Sequence, residues 1–468
     1  MWAKIITISF DKEKKTYMKV HFIATGGAAM HNMAIALHKK GFAVTGSDDE
    51  IFDPAKTRLE KYGLLPENPG WFPEKITDDL DAIILGMHAR EDNPELIKAR
   101  ELGLRIYSFP EYLYEATKDK TRVVIGGSHG KTTITAMIMH VLNYLKIDHD
   151  YMVGAQLEGF ETMVKISDAP IAIFEGDEYL SSPIDRRPKF HLYKPNIALL
   201  SGIAWDHINV FPTFEIYVDQ FRQFINLIEK DGSLVYFEQD ENLQMLAKEA
   251  KGVKSISYGT PDFFIKDFVT YLKRNNQETP LMVFGEHNLQ NIMGAMNVCK
   301  QLGIEENKFF EAISQFKGAS KRLQLLEKNE CTSIFLDFAH SPSKLMATTK
   351  AVKEQFHRRT LVACMELHTF SSLNEDFLSQ YKGTMDAAEV AYVYFNPHTL
   401  EHKKMKEITI DQVAKAFSHK NMVVFNDSEK LVNTLKSTDW KNKNLLLMSS
   451  GNFSGIKFGE FARELICK

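Results

Sequence analysis

The chain has no long hydrophobic run, no basic stretch and few cysteines. Its apolar runs have the length of strands and are shorter than the roughly 20 residues that a membrane-spanning helix needs. The net charge is −4 and the basic residues are dispersed, which argues against nucleic acid as a partner. The four cysteines lack metal-binding or redox spacing, so we expect free thiols in a reducing compartment. The N-terminal segment also lacks a signal-peptide pattern, and we therefore predict a cytoplasmic protein without membrane attachment.

One stretch near residue 125 has the pattern of a phosphate-binding loop. An apolar run breaks into glycines and ends in lysine and threonine, as Val123-Val124-Ile125-Gly126-Gly127-Ser128-His129-Gly130-Lys131-Thr132-Thr133. Glycines let successive amide N–H groups converge on phosphate oxygens at the positive end of the following helix. Lys131 would then reach the β- and γ-phosphates, and the Thr132 hydroxyl would bind Mg²⁺. Apolar residues at helical spacing follow, so the required helix is predicted as well.

This loop is shorter than the generic motif. Only two residues separate Gly127 from Gly130, whereas the generic pattern has four. The short spacing points to a particular subgroup of phosphate loops. A glycine turn that merely precedes Lys-Thr is the alternative interpretation.

The N-terminal part of the chain predicts a separate nucleotide-binding unit. A strand over residues 19–25, a turn at Gly26-Gly27 and, after a helix, a second strand over residues 42–48 form a strand-helix-strand unit. Asp48 lies about twenty residues beyond the turn, where a ribose-binding acid is expected. Alanine replaces two of the three glycines of the dinucleotide fingerprint, so we expect a ligand other than a nicotinamide cofactor.

Polar side chains stand at the ends of several predicted elements. The strands at residues 81–86, 171–174 and 196–202 are followed by His88, Glu175 and His207. Glu175 is the first of three carboxylates in four positions, and the sheet edge beside a phosphate loop needs a magnesium-binding carboxylate. His207 would converge on the same metal or be structural, and His88 would contact a ligand or lie in a solvated loop. Asn291, near the start of a predicted helix, would cap that helix or contact a base edge.

The C-terminal third of the chain predicts another open α/β sheet. Strand-like runs separated by helical stretches lie at residues 334–338, 361–365, 391–395, 422–425 and 445–448. A length of 468 residues is enough for about three cores. We therefore predict an α/β protein with a Rossmann-like domain at residues 1–118, a central phosphate-loop domain at 119–319 and a second Rossmann-like domain at 320–468.

Five motifs, in this order and spacing, resemble those of the Mur ligase family. They are Gly127-Ser128-His129-Gly130-Lys131-Thr132-Thr133, Glu175-Gly176-Asp177-Glu178, Asp206-His207, the stretch from Gly285 to Asn291, and Asp337-Phe338-Ala339-His340-Ser341-Pro342. Each motif alone is weak, but five in sequence are highly specific. The resemblance extends over nearly the whole chain from about residue 19.

This resemblance implies a three-domain fold and ATP-dependent amide synthesis through an acyl phosphate, with Mg²⁺ as cofactor. Matching positions would make Lys131, Glu175 and His207 catalytic, with Thr132, Glu175 and His207 as magnesium ligands. ATP would be bound by the phosphate loop (Gly127, Ser128, His129, Gly130, Lys131, Thr132, Thr133) and by Asn291, Arg322 and Asp337. The first domain would bind a UDP-sugar through Gly26, Gly27, Ser47, Asp48 and His88, and the peptide or sugar would be contacted by Arg187, His340 and His368.

Three stretches are most similar to family members that join UDP-N-acetylmuramate to the murein peptide L-alanyl-γ-D-glutamyl-meso-diaminopimelate in peptidoglycan recycling. They are residues 177–193, residues 205–211 and residues 448–455. We therefore predict these two substrates, with a monomer or weak homo-oligomer as the assembly. The sequence departs from the family pattern at two positions that concern binding of the peptide substrate. Ser341 stands where the family has a second histidine, and the segment at His368 lacks the usual arginine.

Three alternatives remain at this point. One is the ligase of the same family that adds L-alanine to UDP-N-acetylmuramate. Another is folate polyglutamylation, which shares the fold but lacks a UDP-sugar domain such as the one predicted here. The last is a nucleotide-dependent switch without ligase activity, which would not need the first-domain and third-domain features together.

Overall fold

The computed structural model describes residues 18–155, 159–205, 210–274 and 277–466. Their strands and helices alternate along the chain and form three α/β units, in agreement with the predicted class. Each unit has its own sheet with helices packed against it. The domain boundaries predicted from the sequence fall in the connections between the units and stay predictions.

The first unit is built on a four-stranded parallel sheet with strand order β2-β1-β3-β4. Its elements are β1 (Lys19–Ile23), α1 (Ala28–Lys39), β2 (Ala43–Ser47), α2 (Ala55–Lys61), β3 (Ala82–Leu85), α3 (Pro94–Glu101), β4 (Ile106–Ser108) and α4 (Phe109–Glu115). The apolar face of α1 is buried against the sheet, and Gly41 ends the helix with a φ of +93°, a conformation that favours glycine.

The middle unit contains a seven-stranded sheet, order β11-β10-β9-β5-β8-β6-β7, in which all neighbours except β6 and β7 are parallel. Its elements are β5 (Thr121–Gly126), α5 (Lys131–Tyr144), β6 (Asp150–Met152), β7 (Val164–Lys165), β8 (Ile171–Glu175), β9 (Ile197–Leu200), α6 (Phe214–Asn226), β10 (Ser233–Phe237), α7 (Glu241–Glu249), β11 (Lys254–Tyr258), β12 (Phe263–Lys266), β13 (Val269–Arg274), β14 (Gln277–Leu281), α8 (Glu286–Gln301) and α9 (Glu306–Ile313). Strands β12 to β14 form a separate antiparallel sheet, to which the sequence analysis assigned no element.

The third unit has a six-stranded sheet with order β15-β16-β20-β17-β18-β19, parallel except for β15. Its elements are β15 (Gln324–Lys328), β16 (Ser333–Asp337), α10 (Pro342–Gln355), β17 (Thr360–Leu367), α11 (Glu375–Leu378), β18 (Val390–Phe395), α12 (Pro397–His402), α13 (Ile410–Phe417), β19 (Met422–Phe425), α14 (Ser428–Ser437), β20 (Lys443–Met448) and α15 (Phe458–Ile466). The five predicted strands of this unit are all present: three are one to three residues longer than predicted, one is shifted by one residue and one has the predicted bounds.

The first strand ends two residues earlier than predicted. Ala24 has a φ of +65°, so the extended conformation stops there. The backbone N–H groups of Ala24 and Thr25 both donate to the carbonyl oxygen of Ser47, at 3.0 and 3.1 Å. This turn holds the Gly26-Gly27 segment against the end of β2.

The middle and third units are joined by the tip of the β12–β13 hairpin. The Thr270 hydroxyl donates to the Gln355 amide oxygen at 2.7 Å, and the Gln355 amide donates to the Phe268 carbonyl oxygen at 2.6 Å. Gln355 is buried at the end of α10. Because both groups of its amide are used across the boundary, the hairpin fixes the position of α10 relative to the middle sheet.

Arg122 fixes the connection between the first and middle units. Its guanidinium is 2% exposed, and besides pairing with Glu229 at 3.0 Å it donates to the carbonyl oxygens of Thr117, Lys118, Lys120, Tyr193 and Lys194. Five carbonyl groups from two segments therefore share one buried donor. Loss of the side chain would leave them without this partner.

We expect Arg122→Ala to lower the free energy of unfolding by about 3 kcal/mol, because buried carbonyl groups lose a charged donor. Urea denaturation followed by circular dichroism measures the effect. Lys118→Ala is the matched control, since its side chain is about half exposed and pairs only with Glu115 among the ion pairs of the described residues. Equal stabilities of the two variants would contradict the role of Arg122.

Candidate active site

The predicted phosphate loop connects the end of β5 to the start of α5. Gly127 and Gly130 have φ values of +114° and +78°. A Cβ atom on Gly127 would lie 2.5 Å from the Ser201 hydroxyl, and one on Gly130 would lie 2.4 Å from the Asn291 side-chain oxygen. Both positions therefore require glycine for conformation and for space. The Ser201 hydroxyl, just beyond β9, donates to the His129 carbonyl oxygen and holds the loop in shape.

Lys131 lies at the first position of α5 with its side chain largely buried. The ammonium group donates to the Glu178 carboxylate at 2.9 Å and to the Gly127 carbonyl oxygen at 2.8 Å. Burial opposes the charged form, but the carboxylates of Glu178, Asp177 and Glu175 outweigh it and raise the pKa of Lys131 above its ordinary value. Lys131 is thus held as a cation beside the loop.

The Thr132 hydroxyl and the Glu175 carboxylate lie side by side at the same sheet edge. The Thr132 hydroxyl donates to Glu175 Oε1 at 2.8 Å, and the Gly154 N–H donates to Oε2 at 2.8 Å. Among the described residues there is no cluster of three or more His, Cys, Asp or Glu that could enclose a metal. Magnesium commonly uses one or two protein oxygens together with phosphates and water, so this pair fits the predicted ion.

Hydrogen bonds from α6 hold the phosphate loop in place, and the sequence analysis did not predict them. Tyr217, buried in α6, donates to Glu178 Oε1 at 3.0 Å, and its hydroxyl lies 3.2 Å from the Ser128 hydroxyl. Ser128 also bonds both backbone groups of Ala204, each at 2.8 Å. The sequence analysis gave Glu178 as the last carboxylate of the Glu175–Glu178 motif without a role of its own, and nothing in the sequence indicated Tyr217.

The phosphate loop opens onto a cleft of about 260 Å³ between the middle and third units. Of the predicted site residues, the cleft brings together Ser128 to Thr133, Glu175, Asn291, Arg322 and Asp337. Ser343 and Lys344 of α10 also line it. His129 Nε2 lies 3.0 Å from the Ser343 hydroxyl, so the loop touches the third unit directly.

Asp337 organises the third-unit wall of the cleft. Its two oxygens accept hydrogen bonds from the N–H groups of Leu323 at 2.6 Å and Ala339 at 2.7 Å. These bonds hold the turn in which Lys321 and Leu323 have positive φ values of 55° and 47°. Arg322, between them, lies against the Phe338 ring, 4.9 Å from its centre. Asp337 therefore positions Arg322 toward the cleft.

Two further side chains in α8 face the cleft. Asn291 places its side-chain oxygen against Gly130, which is a tertiary contact rather than the helix cap considered from sequence. His287 also lines the cleft, and burial lowers its pKa although Asp337 and Glu286 oppose the effect. His287 belongs to a motif noted in the sequence, but no role was predicted for it.

The residues predicted to bind the UDP-sugar lie in the first unit, away from this cleft. The Gly26 N–H donates to Asp48 Oδ2 at 2.6 Å, and the side chain of Ser47 is buried beside them. Burial is the main cause that raises the pKa of Asp48 to about 6, and the Asp49 carboxylate adds to it. Gly27 precedes α1, and His88 is exposed beyond β3.

The predicted peptide or sugar contacts do not line the phosphate cleft. Arg187 bridges Asp185 and Glu111, at 2.7 and 3.1 Å, and so links the middle unit to the first. His340 Nδ1 lies 2.8 Å from the Phe338 carbonyl oxygen, and His368 Nδ1 lies 3.9 Å from Glu366. The predicted roles of these residues stay predictions. His207, predicted as a catalytic residue and magnesium ligand, lies outside the described residues.

The three α/β units and the cleft lined by a phosphate-binding type of loop are features of nucleotide-binding enzymes. Family models described as "Mur ligase family, catalytic domain", "Mur ligase middle domain" and "Mur ligase, glutamate ligase domain" match residues 19–121, 125–299 and 321–451. The chain belongs to the Mur ligase family, whose members are ATP-dependent, ADP-forming amide ligases. The resemblance inferred from five motifs is thereby confirmed at the level of the family.

Individual relatives and structures agree with this assignment. The chain is 30% identical over 390 residues to a UDP-N-acetylmuramate–L-alanine ligase of Clostridium kluyveri, with 80% of this chain and 83% of the relative covered. It resembles the structure of a UDP-N-acetylmuramate–alanine ligase from Thermotoga maritima with a TM-score of 0.70 and 20% identity, covering 96% and 98% of the two chains. A murein peptide ligase from Psychrobacter arcticus gives a TM-score of 0.62 and 22% identity, again with 96% and 98% covered. No helix within the described ranges has the length and apolarity needed to cross a membrane.

We expect Gly130→Ala to abolish nucleotide binding, because its Cβ would collide with Asn291 inside the phosphate loop. Titration with a fluorescent ATP analogue measures the effect. Gly41→Ala is the matched control: Gly41 also has a positive φ, but a Cβ there would meet nothing within 4 Å. The control should lose about 1 kcal/mol of stability and keep nucleotide affinity. Unchanged binding by Gly130→Ala would contradict the assignment of the loop.

Proposed function

We propose that this chain joins the lactyl carboxylate of UDP-N-acetylmuramate to an amine, with conversion of ATP to ADP and phosphate. The observation that carries the proposal is the cleft in which the phosphate loop, Lys131 and Glu175 of the middle unit face Arg322 and Asp337 of the third. The relatives and structures compared above are named for reactions of UDP-N-acetylmuramate or of murein peptides.

The first step is an in-line attack by the lactyl carboxylate on the γ-phosphorus, which breaks the bond to ADP. The three equatorial oxygens of the transferring group share the negative charge of the transition state. Lys131, kept as a cation by Glu178, is placed to stabilise that charge. Thr132 and Glu175 would hold Mg²⁺, with His207 as a further predicted ligand, and the ion would supply additional positive charge at the phosphates.

In the second step the amine attacks the acyl carbon, and the tetrahedral intermediate collapses with release of phosphate. This step needs no protein nucleophile, because the acyl phosphate is already activated. It needs a deprotonated amine and positive charge near the developing oxyanion. We propose that the amine approaches from the solvent-facing side of the cleft.

The UDP part of the donor is proposed to bind the first unit. Asp48 and the Gly26-Gly27 turn lie at the carboxyl ends of β1 and β2, where open α/β sheets bind their ligands. The Asp48 carboxylate would accept hydrogen bonds from a ribose or sugar hydroxyl group. This arrangement supports a nucleotide sugar rather than a second ATP, since the turn lacks the lysine of a phosphate loop.

As the amine we propose L-alanine first and the murein peptide second. Relatives that share 26–30% identity with this chain are named as L-alanine ligases. The peptide is supported by the similarity of residues 177–193, 205–211 and 448–455 to the peptide-adding members of the family. The resemblance to the structure of a murein peptide ligase, at 22% identity, shows the fold alone. The murein peptide, which the sequence analysis preferred as the amine, thus has less support than L-alanine.

The choice between the two amines is tested by phosphate release from ATP in the presence of UDP-N-acetylmuramate. L-Alanine, the peptide L-alanyl-γ-D-glutamyl-meso-diaminopimelate and a blank are assayed separately. We expect release with L-alanine; release with the peptide alone would reverse the order of the two proposals. A Lys131→Ala variant is the control and should be inactive in every assay while it still binds the UDP-sugar. Release that does not depend on any amine would contradict the ligase reaction.

We also expect UDP-N-acetylmuramate to bind more weakly below pH 6. The pKa of Asp48 is raised to about 6, so the carboxylate that would accept hydrogen bonds is ionised above this pH and protonated below it. If the ligand binds the ionised form, its affinity should be constant above pH 7 and fall about tenfold by pH 5. Calorimetry across this range measures the slope. The Asp48→Asn variant should bind weakly at every pH and lose the slope, whereas an unchanged slope would contradict the assignment.

A further inference from the structure

Lys344 is a cation that the third unit contributes to the phosphate cleft and that has no role in the proposal above. It lies in the first turn of α10, which begins at Pro342. Ser343, Lys344, Ala347 and Thr348 line the cleft together. Residues three and four positions apart share a helix face, so one continuous face of α10 forms this wall.

The same turn is in contact with the phosphate loop. The His129 ring nitrogen lies 3.0 Å from the Ser343 hydroxyl, and His129 is within the Gly127 to Gly130 loop. The residue after Ser343 is therefore at the level of the loop rather than at the far end of the cleft. A lysine side chain is long enough to extend from this position toward the place where phosphates would lie.

The negative charges around the cleft would favour a further cation near the phosphates. Three carboxylates, Glu175, Glu178 and Asp337, line the cleft, and Glu178 is already ion-paired with Lys131. A triphosphate adds about four negative charges when it enters. Among the described residues of the middle unit, Lys131 is the one lysine that lines the cleft, so cations on the opposite wall would add to the neutralisation of the phosphates. Among the described residues of the third unit, the arginine Arg322 and the lysine Lys344 line the cleft.

We propose that Lys344 binds the β- or γ-phosphate of ATP from the third unit and so ties that unit to the bound nucleotide. The amino group acts as a point charge opposite Lys131, with the phosphates between them. The inference rests on the proposed function only in requiring that ATP occupies the cleft. It assigns to α10 a direct contact with substrate.

The test compares the affinities of the full-length protein for ATP, ADP and AMP, measured without UDP-sugar or amine. We expect Lys344→Ala to weaken ATP binding about tenfold or more, with a smaller loss for ADP and almost none for AMP, because the lost contact is to the terminal phosphates. Lys344→Arg should retain most of the affinity for ATP. Lys350→Ala is the matched control, since Lys350 lies on the same helix, is 59% exposed and faces Glu354.

Two results would overturn the inference. ATP affinity that is unchanged in Lys344→Ala excludes a phosphate contact. An equal loss of affinity for all three nucleotides places the contact at the nucleoside instead. Because nucleotide binding is measured alone, the inference can fail while the ligase reaction stands, and it can stand if the amine or the sugar differs from those proposed.

Discussion

The ion pair between Lys131 and Glu178 is the interaction on which the candidate site depends. Burial of a lysine that is 18% exposed disfavours its charge, but the carboxylates of Glu178, Asp177 and Glu175 outweigh that effect and raise the pKa of Lys131. Tyr217 donates a hydrogen bond to Glu178 and so fixes the carboxylate that faces the lysine. The phosphate loop can therefore present a buried cation in a fixed position before any nucleotide arrives. A preorganised charge of this kind stabilises a phosphoryl-transfer transition state without reorganisation at the moment of reaction.

The strand order of the middle sheet makes this pair possible. Strand β5 lies between β8 and β9, so the phosphate loop, the acidic run after β8 and Ser201 after β9 meet at one edge. The opposite wall of the cleft comes from the third unit, whose position is fixed by the hairpin contact to Gln355 and the His129–Ser343 contact. The reacting groups are thus distributed over two units. Any change in their relative position would alter the distance between Lys131 and the cations of the third unit.

Local patterns in the sequence were enough to predict the α/β class and several of the residues that line the cleft. The loop glycines, Lys131 and Thr132 are neighbours in sequence, and Asp48 follows the Gly26 turn at a recognisable spacing. The pairing of Lys131 with Glu178, 47 residues away, and of Ser128 with Tyr217, 89 residues away, depends on strand order and helix packing. No local pattern contains that information. The sequence analysis missed the β12–β13 hairpin because its residues show neither a strong alternation of apolar and polar side chains nor a glycine turn. The tip of this hairpin is Asp267-Phe268, and both residues have a positive φ.

Phosphoryl transfer and amine binding place different demands on the protein. Phosphoryl transfer constrains the loop, the cation and the metal ligands tightly, so these residues carry the family assignment. The amine reacts by itself with an activated carbonyl group and needs only a pocket that orients it. In this structure His340 and His368, the predicted contacts, interact with Phe338 and Glu366 of their own unit. Contacts that stay within the third unit can change without any change in the phosphate loop, so amine selection can vary in this family independently of the residues that serve phosphoryl transfer.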